Sequence, residues 1–199
     1  MKVLVFTDVH GNKNIIKKHR EQAKSVDLVL FTGDLTFFGQ NQEELLELLE
    51  DFPKPVFIIH GNHDDDELMR EYCAKLSNVR FIHGEIIRFG DWFIGGFGTS
   101  GLGVAYQDFE SWVDEHRDEL LAAKPLIWLD HPPPYATKVD DLSEEWHVGS
   151  LSLRDFIEEF SPRYVFCGHI HETFGCEDVL GETIIINSGP TGRVLECIR

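Results

Sequence analysis

The stretch KVLVFTDVH, residues 2–10, joins a short apolar run to an aspartate and a histidine, and the chain repeats this arrangement four more times. A short apolar run that ends in polar or glycine residues is typical of a strand buried on both faces. The later copies are VLFTGD at 29–34, VFIIHGNHD at 56–64, LIWLDH at 126–131 and YVFCGHIH at 164–171. Each copy therefore predicts a strand with oxygen or nitrogen donors at its carboxyl end.

Helical patterns separate the first three of these strands. Residues 41–51 carry leucines on one side and acidic residues on the other, and residues 64–76 carry apolar residues at helical spacing. Strands that alternate with helices form parallel sheets in α/β proteins. We therefore expect a βαβαβα arrangement of parallel strands in the first third, with strands at 2–7, 27–32 and 55–59.

The second half is predicted to hold a second sheet. Runs at 79–83, 85–89 and 92–97 indicate an antiparallel meander, and the glycines Gly95, Gly96, Gly98, Gly101 and Gly103 predict an irregular loop that borders the site. Helices are expected near 108–122 and around 153–160. Further strands are predicted at 125–130, 163–167, 173–176, 182–187 and 193–198. One α/β domain with two sheets, residues 1–199, accommodates these elements.

The composition is that of a globular protein with a strong negative charge. Apolar residues make up 42% of the chain and aromatic residues 12%, which excludes a disordered chain. The net charge of -17, from 35 acidic and 18 basic residues, repels phosphate backbones and anionic membranes at long range. We therefore do not expect nucleic acid as a partner. Enzymes that act on phosphate esters stay possible, because bound cations reverse the local field.

Nothing in the sequence predicts export or insertion into a membrane. The apolar run after Lys2 is too short for a signal peptide, and no stretch approaches the roughly 18 apolar residues of a membrane span. The four cysteines show no CxxC pairing, so free thiols in a reducing cytosol are expected rather than disulfides. We therefore expect a cytoplasmic protein with no membrane partner, whose oligomeric state the sequence leaves open.

The donors that follow the strands suit a pair of divalent metal ions. Carboxyl ends of neighbouring strands in α/β sheets converge on one crevice. Asp8 and His10 are two residues apart, and so are His169 and His171, so that an extended backbone directs each pair the same way. A carboxylate such as that of Asp34 has two oxygens and can bridge two cations. Mixed oxygen and imidazole donors suit Mn, Fe, Ni or Zn.

Each motif taken alone also has a purely structural explanation. Asp8 fits a helix N-cap, Asp34 fits a turn and His131 fits a hydrogen-bonded core histidine. Asn12 is expected either to cap the following helix or to contact a substrate phosphate. Asp64 is expected to cap a helix or to support its neighbour rather than to bind metal. The remaining histidines are expected to be structural or exposed, namely His19, His60, His83, His116 and His147.

The ordered set DxH, GD, GNHD, H and GHxH, which runs here from Asp8 to His171, resembles the calcineurin-like metallophosphoesterase superfamily. The resemblance implies a β-sandwich of two sheets flanked by helices, an αββα four-layer architecture, with a dinuclear metal site at the strand ends. It implies that one metal binds Asp8, His10, Asp34 and His171, and that the other binds Asp34, Asn62, His131 and His169. Manganese is the first candidate for the two ions, with iron, nickel and zinc as alternatives.

The resemblance also implies a reaction. His63 would not bind metal but would face the leaving-group oxygen, as a general acid or as a stabiliser of charge. The nucleophile would be a hydroxide bound at the dinuclear centre. We therefore expect a metal-dependent phosphoesterase, a phosphodiesterase or phosphatase, whose partner is a small phosphodiester or phosphomonoester. The alternatives are a nuclease with the same site and a non-catalytic platform that binds another protein.

Overall fold

Eleven strands and six α-helices form in the residues that the computed structural model describes, which are 1–99, 105–143 and 146–199. The strands are β1 (Lys2–Phe6), β2 (Leu28–Thr32), β3 (Val56–Ile59), β4 (Val79–Phe81), β5 (Glu85–Phe89), β6 (Trp92–Phe97), β7 (Leu126–Asp130), β8 (Tyr164–Cys167), β9 (Glu177–Leu180), β10 (Thr183–Asn187) and β11 (Arg193–Glu196). The helices are α1 (Lys13–Gln22), α2 (Gln42–Glu50), α3 (Asp66–Cys73), α4 (Gln107–Glu115), α5 (Arg117–Ala122) and α6 (Leu151–Phe160).

The first sheet has five strands in the order β11-β1-β2-β3-β4. Strands β1 to β4 are parallel to their neighbours, and β11 returns from the end of the chain to pair antiparallel with β1. Helices α1, α2 and α3 connect the parallel strands, as right-handed crossovers do in such sheets. The predicted parallel βαβαβα arrangement is therefore confirmed.

The second sheet has six strands in the order β5-β6-β7-β8-β10-β9. The predicted meander at 79–97 is wrong in its first strand, because the α3 crossover returns β4 parallel to β3 in the first sheet. Only β5 and β6 form the expected antiparallel pair. Strands β6, β7, β8 and β10 are parallel to one another, which brings the carboxyl ends of β7 and β8 to one edge.

Three further expectations about the second half need correction. The strand predicted at 173–176 is a turn, and the corresponding strand is β9, one segment later. The helix predicted at 108–122 breaks at His116, whose ring stacks on Trp112 with a centroid separation of 4.4 Å. The expected glycine loop begins late, since Gly95 and Gly96 belong to β6, while Gly101 and Gly103 lie outside the described residues.

Alternate residues of the strands face two different cores, and this alternation creates the layers. In β1, Val3 and Val5 pack between the two sheets, whereas Leu4 and Phe6 pack against the helices α1 and α2. The second sheet repeats the arrangement, because Trp128 on β7 packs with α4 and α6 on the outer face. Helices thus cover both outer faces, and the predicted α/β sandwich of two sheets is confirmed.

The large aromatic residues of the second half are core residues. Trp128 and Phe156 are buried, and their ring centroids lie 4.5 Å apart, while Trp112 packs half-buried beside them. Gly95 makes room for this cluster, because a β-carbon there would lie 2.6 Å from Cζ3 of Trp128. These rings stabilise the sheet rather than offer a surface for bases.

Two further findings concern the helices and the cysteines. Among the described residues, no helix has both the length and the apolar character that crossing a lipid bilayer requires. All four cysteines carry free thiols, as predicted. The cytoplasmic location and the extent of the single domain, residues 1–199, stay predictions.

Candidate metal centre

The predicted ligands lie on five loops, each directly after a strand. Strands β1, β2 and β3 of the first sheet and β7 and β8 of the second run parallel within their sheets, so the loops that follow them gather in one crevice. A hydrogen bond joins two of these loops, since the N–H of Gly168 donates to the carbonyl of His131, while the imidazole of His131 contacts the carbonyl of Thr32 in β2 of the other sheet. The site therefore lies at the junction of the two sheets.

Four predicted ligands have left-handed backbone conformations, which residues with a β-carbon rarely adopt. Their φ angles are 52° at Asp8, 43° at His10, 57° at Asp34 and 68° at His169. The strands that precede them and hydrogen bonds between the loops hold these conformations, for example from the N–H of Asp8 to the carbonyl of Gly33. Such conformations cost on the order of 1–3 kcal/mol each and concentrate at functional sites.

The first cluster consists of Asp8, His10 and His171. Nε2 of His171 lies 3.5 Å from a carboxylate oxygen of Asp8 and 3.4 Å from Nε2 of His10. Two imidazole nitrogens and a carboxylate oxygen thus face one small space, and all pairs of their donor atoms lie within 4.8 Å. This geometry suits one divalent cation.

Asp34 lies between this cluster and a second one. Its Oδ2 lies 3.7 Å from Nε2 of His10, and its Oδ1 lies 3.4 Å from Nε2 of His131. The carboxylate is buried and accepts a hydrogen bond from the N–H of His63 at 2.9 Å. Its two oxygens therefore face different imidazoles, which is the arrangement that a carboxylate shared between two cations requires.

The second cluster is formed by His131 with Asp34 and Asp8, and Asn62 borders it. Nδ1 of His131 lies 2.8 Å from the carbonyl of Thr32, so its N–H points to that carbonyl, and Nε2 is the nitrogen that a metal would take once it has lost its proton. Oδ1 of Asn62 lies 3.1 Å from that Nε2. Amide oxygen, carboxylate oxygen and imidazole nitrogen thus converge on one point.

His169 is the predicted ligand whose imidazole lies apart from the clusters that the described residues form. Its ring centroid is 5.1 Å from that of His131, so it borders the second cluster. Its backbone N–H donates to the carboxylate of Asp8, at 3.1 Å to the nearer oxygen. The structure brings the other predicted ligands together, and metal binding by all of them, His169 included, stays a prediction.

His63 lies at the mouth of the site. Its Nε2 is 4.0 Å from Oδ2 of Asp34, and its ring centroid is 4.8 Å from that of His10. Its side chain is 18% exposed, so a bound molecule could reach it. Among the described residues its buried Nδ1 has no hydrogen-bond partner. With His10 and Asp34 it forms a third group of donor atoms, all within 4.8 Å of one another, so His63 lies among the possible ligands although no metal-binding role is predicted for it.

The electrostatics of the site favour cations. Burial by itself favours a neutral Asp34, but His131 and the N–H of His63 outweigh it and lower the pKa of this carboxyl to about 2. Burial likewise opposes a charge on His131, but the carboxylates of Asp34 and Asp8 raise its pKa to about 9. Burial lowers the pKa of His169 to about 4. Asp34 is thus an anion at neutral pH, and a cation that binds His131 releases a proton.

Glycines next to the ligands allow the loops to approach closely. A β-carbon at Gly168 would lie 2.3 Å from Oδ2 of Asp8. A β-carbon at Gly61 would lie 2.2 Å from Oδ1 of Asp34 and 2.6 Å from the Asp34 backbone nitrogen. Neither position has room for a side chain.

The variant Gly61→Ala is expected to bind metal about 10- to 100-fold more weakly, the usual range for changes next to ligands. The added methyl group would displace the Asp34 carboxylate, with which it would collide. Titration calorimetry with Mn²⁺ measures the affinity, and urea unfolding of the metal-free protein measures the effect on the fold. Unchanged affinity would show that the carboxylate position is not critical.

Asp64 holds two of the loops together rather than capping a helix. Its carboxylate accepts hydrogen bonds from the N–H groups of Leu35, Thr36 and Gly61, at 3.2, 2.8 and 3.0 Å. The N-cap of α3 is Asp65, which accepts from the N–H of Leu68. Of the two roles expected for Asp64, the helix cap is therefore wrong, and the contacts agree with the other role, support of the loop that carries His63.

Asn12 caps α1, which was one of its two expected roles. Its Oδ1 accepts hydrogen bonds from the N–H groups of Asn14 and Ile15, at 3.1 and 3.3 Å. The oxygen is therefore occupied, and a contact with substrate phosphate would have to use the amide nitrogen. That contact stays a prediction.

Of the histidines expected to be structural or exposed, His83 has the clearest structural role. Its Nδ1 accepts a hydrogen bond from the N–H of Gly98 at 2.9 Å, which only unprotonated Nδ1 can do. Burial and the nearby His60 lower the pKa of His83 to about 4, against 6.5 for a free histidine. The folded protein therefore holds this side chain neutral.

Stability is expected to fall as the pH drops from about 6.5 toward about 4. The folded-state pKa of His83 lies below the unfolded value, so its contribution is present above pH 6.5 and is lost as acid protonates the unfolded chain first. The variant His83→Gln should reduce this pH dependence, whereas His116→Gln should not. Urea unfolding of the metal-free proteins at neutral and acid pH measures the pH dependence of the free energy of unfolding. Identical pH dependence in both variants would contradict the assignment.

Two exposed rings beside His63 were not predicted as site residues. Phe37 and Phe38 follow Thr36 in the loop after β2, and their side chains are 50% and 68% exposed. Their ring centroids lie 5.4 and 4.2 Å from that of His63. The sequence signal that could have identified them is a pair of aromatic residues in a turn directly after the Gly33-Asp34 motif.

Comparison with known proteins gives a consistent result. A family model described as calcineurin-like phosphoesterase matches residues 1–173. An uncharacterized protein of Methanocaldococcus jannaschii is 32% identical over 96% of this chain and 88% of that protein. A probable glycerophosphodiester phosphodiesterase of Arcobacter nitrofigilis is 25% identical over 73% of this chain, and a probable cyclic nucleotide phosphodiesterase of a Synechococcus species is 28% identical over 76%. The chain spans only 56% and 60% of these two relatives.

Solved structures share the fold. A protein of Thermus thermophilus has a TM-score of 0.75 at 17% identity, covering 96% of this chain and 90% of that one. The phosphopantetheinyl hydrolase of Mycobacterium tuberculosis has a TM-score of 0.60 at 11% identity, covering 94% and 88%. At such low identities the likeness establishes the architecture alone.

Proposed function

Because the chain belongs to the calcineurin-like phosphoesterase family and is a hydrolase of phosphoric ester bonds, we propose that it cleaves small phosphodiesters or phosphomonoesters at a dinuclear metal centre. The observation that carries the proposal is the position of Asp34. Its two oxygens face the imidazoles of two different clusters, at 3.7 and 3.4 Å. A single-metal site would need no such shared carboxylate.

The donor set fits two first-row divalent ions. Asp8, His10, Asp34 and His171 would hold one ion, and Asp34, Asn62, His131 and His169 would hold the other. Imidazole and carboxylate donors without thiolate suit manganese, iron, nickel or zinc, and manganese is the first candidate of this proposal. When bound, two such ions supply a water nucleophile at neutral pH and neutralise charge on the phosphoryl group.

The residues around the clusters would prepare this chemistry. The carbonyl of Thr32 fixes the tautomer of His131, and the N–H of His169 orients the Asp8 carboxylate. Such contacts to ligands typically change metal affinity or activity by about 10- to 100-fold. The chain thus provides oriented donors before any ion binds.

His63 would act on the leaving group. Its imidazole lies beside the clusters and is partly exposed, so its Nε2 can approach the ester oxygen of a bound substrate. Near neutral pH an imidazole can donate a proton to that oxygen or stabilise its negative charge. We assign this role to His63 because its imidazole borders both Asp34 and the open side of the site.

The relatives narrow the candidate substrates. The name of one relative concerns glycerophosphodiesters, and the name of another concerns cyclic nucleotides. This chain spans little more than half of each, so those activities are proposals here. The strongly negative charge of -17 favours small substrates over long anionic polymers.

Hydrolysis of a bis-aryl phosphodiester and of the matching aryl monoester tests the proposal. The protein is stripped of metal, reloaded with Mn²⁺ and assayed with each substrate, while metal content is measured in the same sample. Metal-dependent turnover of the diester is expected, and monoester turnover alone would identify a phosphatase. No turnover of either ester with two ions bound would contradict a broad phosphoesterase.

A further inference from the structure

We propose that Phe37 and Phe38 form a stacking platform for a nucleobase, and therefore that the natural substrates are small nucleoside phosphates. This inference rests on the proposed function, because the platform adjoins the imidazole assigned to the leaving group. It adds a substrate class and two specificity-determining residues to that function. The two side chains together are called the Phe platform below.

The first observation is the exposure of two adjacent aromatic side chains. Phe37 is 50% and Phe38 is 68% exposed, although most large apolar residues of the described chain are buried. Other exposed apolar side chains, such as Leu121 and Val179, lie on separate elements. An exposed apolar patch at the rim of a polar site indicates a surface that contacts a ligand.

The second observation is that the loop holding the Phe platform is fixed. The hydroxyl of Thr36 donates to the carbonyl of His63, and the N–H of Gly39 donates to the same carbonyl at 2.9 Å. Phe38 itself has φ of 52°, which is unfavourable for a large side chain. These hydrogen bonds hold an unfavourable backbone in a position that leaves both rings exposed, and rigid rings lose little entropy when a ligand stacks on them.

The third observation is the position of the rings relative to His63. The ring of Phe37 lies at 23° to that of His63, and the centroid of Phe38 lies only 4.2 Å from it. Phe37 also lies 6.2 Å from His10. The two rings meet edge to face, at 73° with centroids 4.9 Å apart. A flat group attached to the ester oxygen that meets His63 would therefore stack on one ring of the Phe platform and be flanked by the other.

The chemistry of the platform favours a flat, uncharged group. None of the cation–ring contacts among the described residues involves Phe37 or Phe38, so no Lys or Arg covers their faces. Phenylalanine has no hydrogen-bonding group, so these rings bind by stacking and not by reading base edges. Nucleobases stack on aromatic side chains regardless of their sequence identity. The platform would therefore accept several bases.

Binding of adenosine 5′-monophosphate and ribose 5-phosphate to the Mn²⁺-loaded full chain tests the inference. The two ligands carry the same phosphate and sugar, so the ratio of their dissociation constants isolates the base. Calorimetry is expected to show about 5- to 100-fold tighter binding of the nucleotide, from the usual strength of base stacking. The variants Phe38→Leu and Phe37→Leu keep an apolar side chain and should reduce this ratio, and Leu121→Ala serves as the exposed control.

Several results would overturn the inference. One is equal binding of the two ligands, or no binding of either, by the wild-type protein. Another is an unchanged ratio in the double variant Phe37→Leu, Phe38→Leu. A third is a uniform loss of affinity for both ligands, which would mean that the rings only position His63.

Hydrolysis of the bis-aryl phosphodiester, measured on the same samples, separates the two proposals. Tighter binding of the nucleotide without turnover of the diester would support the Phe platform and contradict the proposed reaction. Turnover without any preference would retain the reaction and remove the platform.

Discussion

Replacing Asp34 by asparagine is expected to remove both metal ions and to lower kcat/KM by at least about 10³-fold, since metal-assisted stabilisation of several kcal/mol is lost. Asn keeps the shape of the side chain and an oxygen that can accept the N–H of His63, which now bonds to Asp34 at 2.9 Å. What it removes is the negative charge that both clusters share. The loss should therefore affect both ions and not one.

Metal content per chain and turnover of the bis-aryl phosphodiester measure this effect. Asp51→Asn, at an exposed carboxylate 3.5 Å from Arg20, is the matched control and should change neither. A variant that keeps one ion per chain would show that Asp34 serves a single metal. Full occupancy with normal turnover would contradict the shared-carboxylate assignment.

Replacing His63 by alanine is expected to keep both ions and to lower kcat by about 10²- to 10⁴-fold on esters of poor leaving groups. The imidazole lies 4.0 Å from Asp34 but is assigned to the leaving group, so metal content should not change. An aryl ester with an acidic leaving group needs little assistance, and its turnover should fall much less.

The contrast between leaving groups is the measurement that checks this role. A series of aryl phosphodiesters of rising phenol pKa gives the dependence of kcat on leaving-group basicity, which should be steeper in His63→Ala than in the wild type. Full activity of the variant on a poor leaving group would show that the acid role is wrong. Loss of metal would instead place His63 among the ligands.

The parallel strands and the order of the site motifs could be predicted because both depend on local sequence. Val3 to Phe6 form an apolar run that only a strand buried on both faces explains, and donors follow it immediately. The convergence of Asp8, Asp34 and His131 then follows from the geometry of parallel sheets.

The predicted strands are wrong where pairing with a strand distant in sequence decides whether a segment is a strand and which sheet it joins. The run at β4 has the same local character as β5, yet it pairs with β3 in the other sheet. Residues 173–176 look like a strand, but Thr173 is buried and its hydroxyl contacts Val139 and Asn187, which holds a turn there. The actual strand, Glu177–Leu180, is half polar because it lies at a sheet edge.

At the site, the sequence predicts which residues lie together but not the hydrogen bonds that support their loops. Two of the three N–H groups that donate to Asp64, those of Leu35 and Thr36, come from the loop after β2, almost 30 residues earlier, so no local pattern indicates them. The Phe platform was missed for a related reason. A pair of phenylalanines normally indicates a core, and the one sequence signal against it is their position in a turn after the Gly33-Asp34 motif; the structure shows that Phe37 and Phe38 are exposed.

The junction of the two sheets has a consequence for heat resistance. Asp8 and Asp34 belong to loops of one sheet, while His131 and His171 belong to loops of the other. Ions bound between these residues would therefore link the two sheets and stabilise their packing. A free metal concentration 100 times the dissociation constant adds about 2.7 kcal/mol per site to the free energy of unfolding. A chelator should therefore lower the Tm of the protein and also abolish the proposed ester hydrolysis. The metal concentration in the cell would then influence the lifetime of the folded protein.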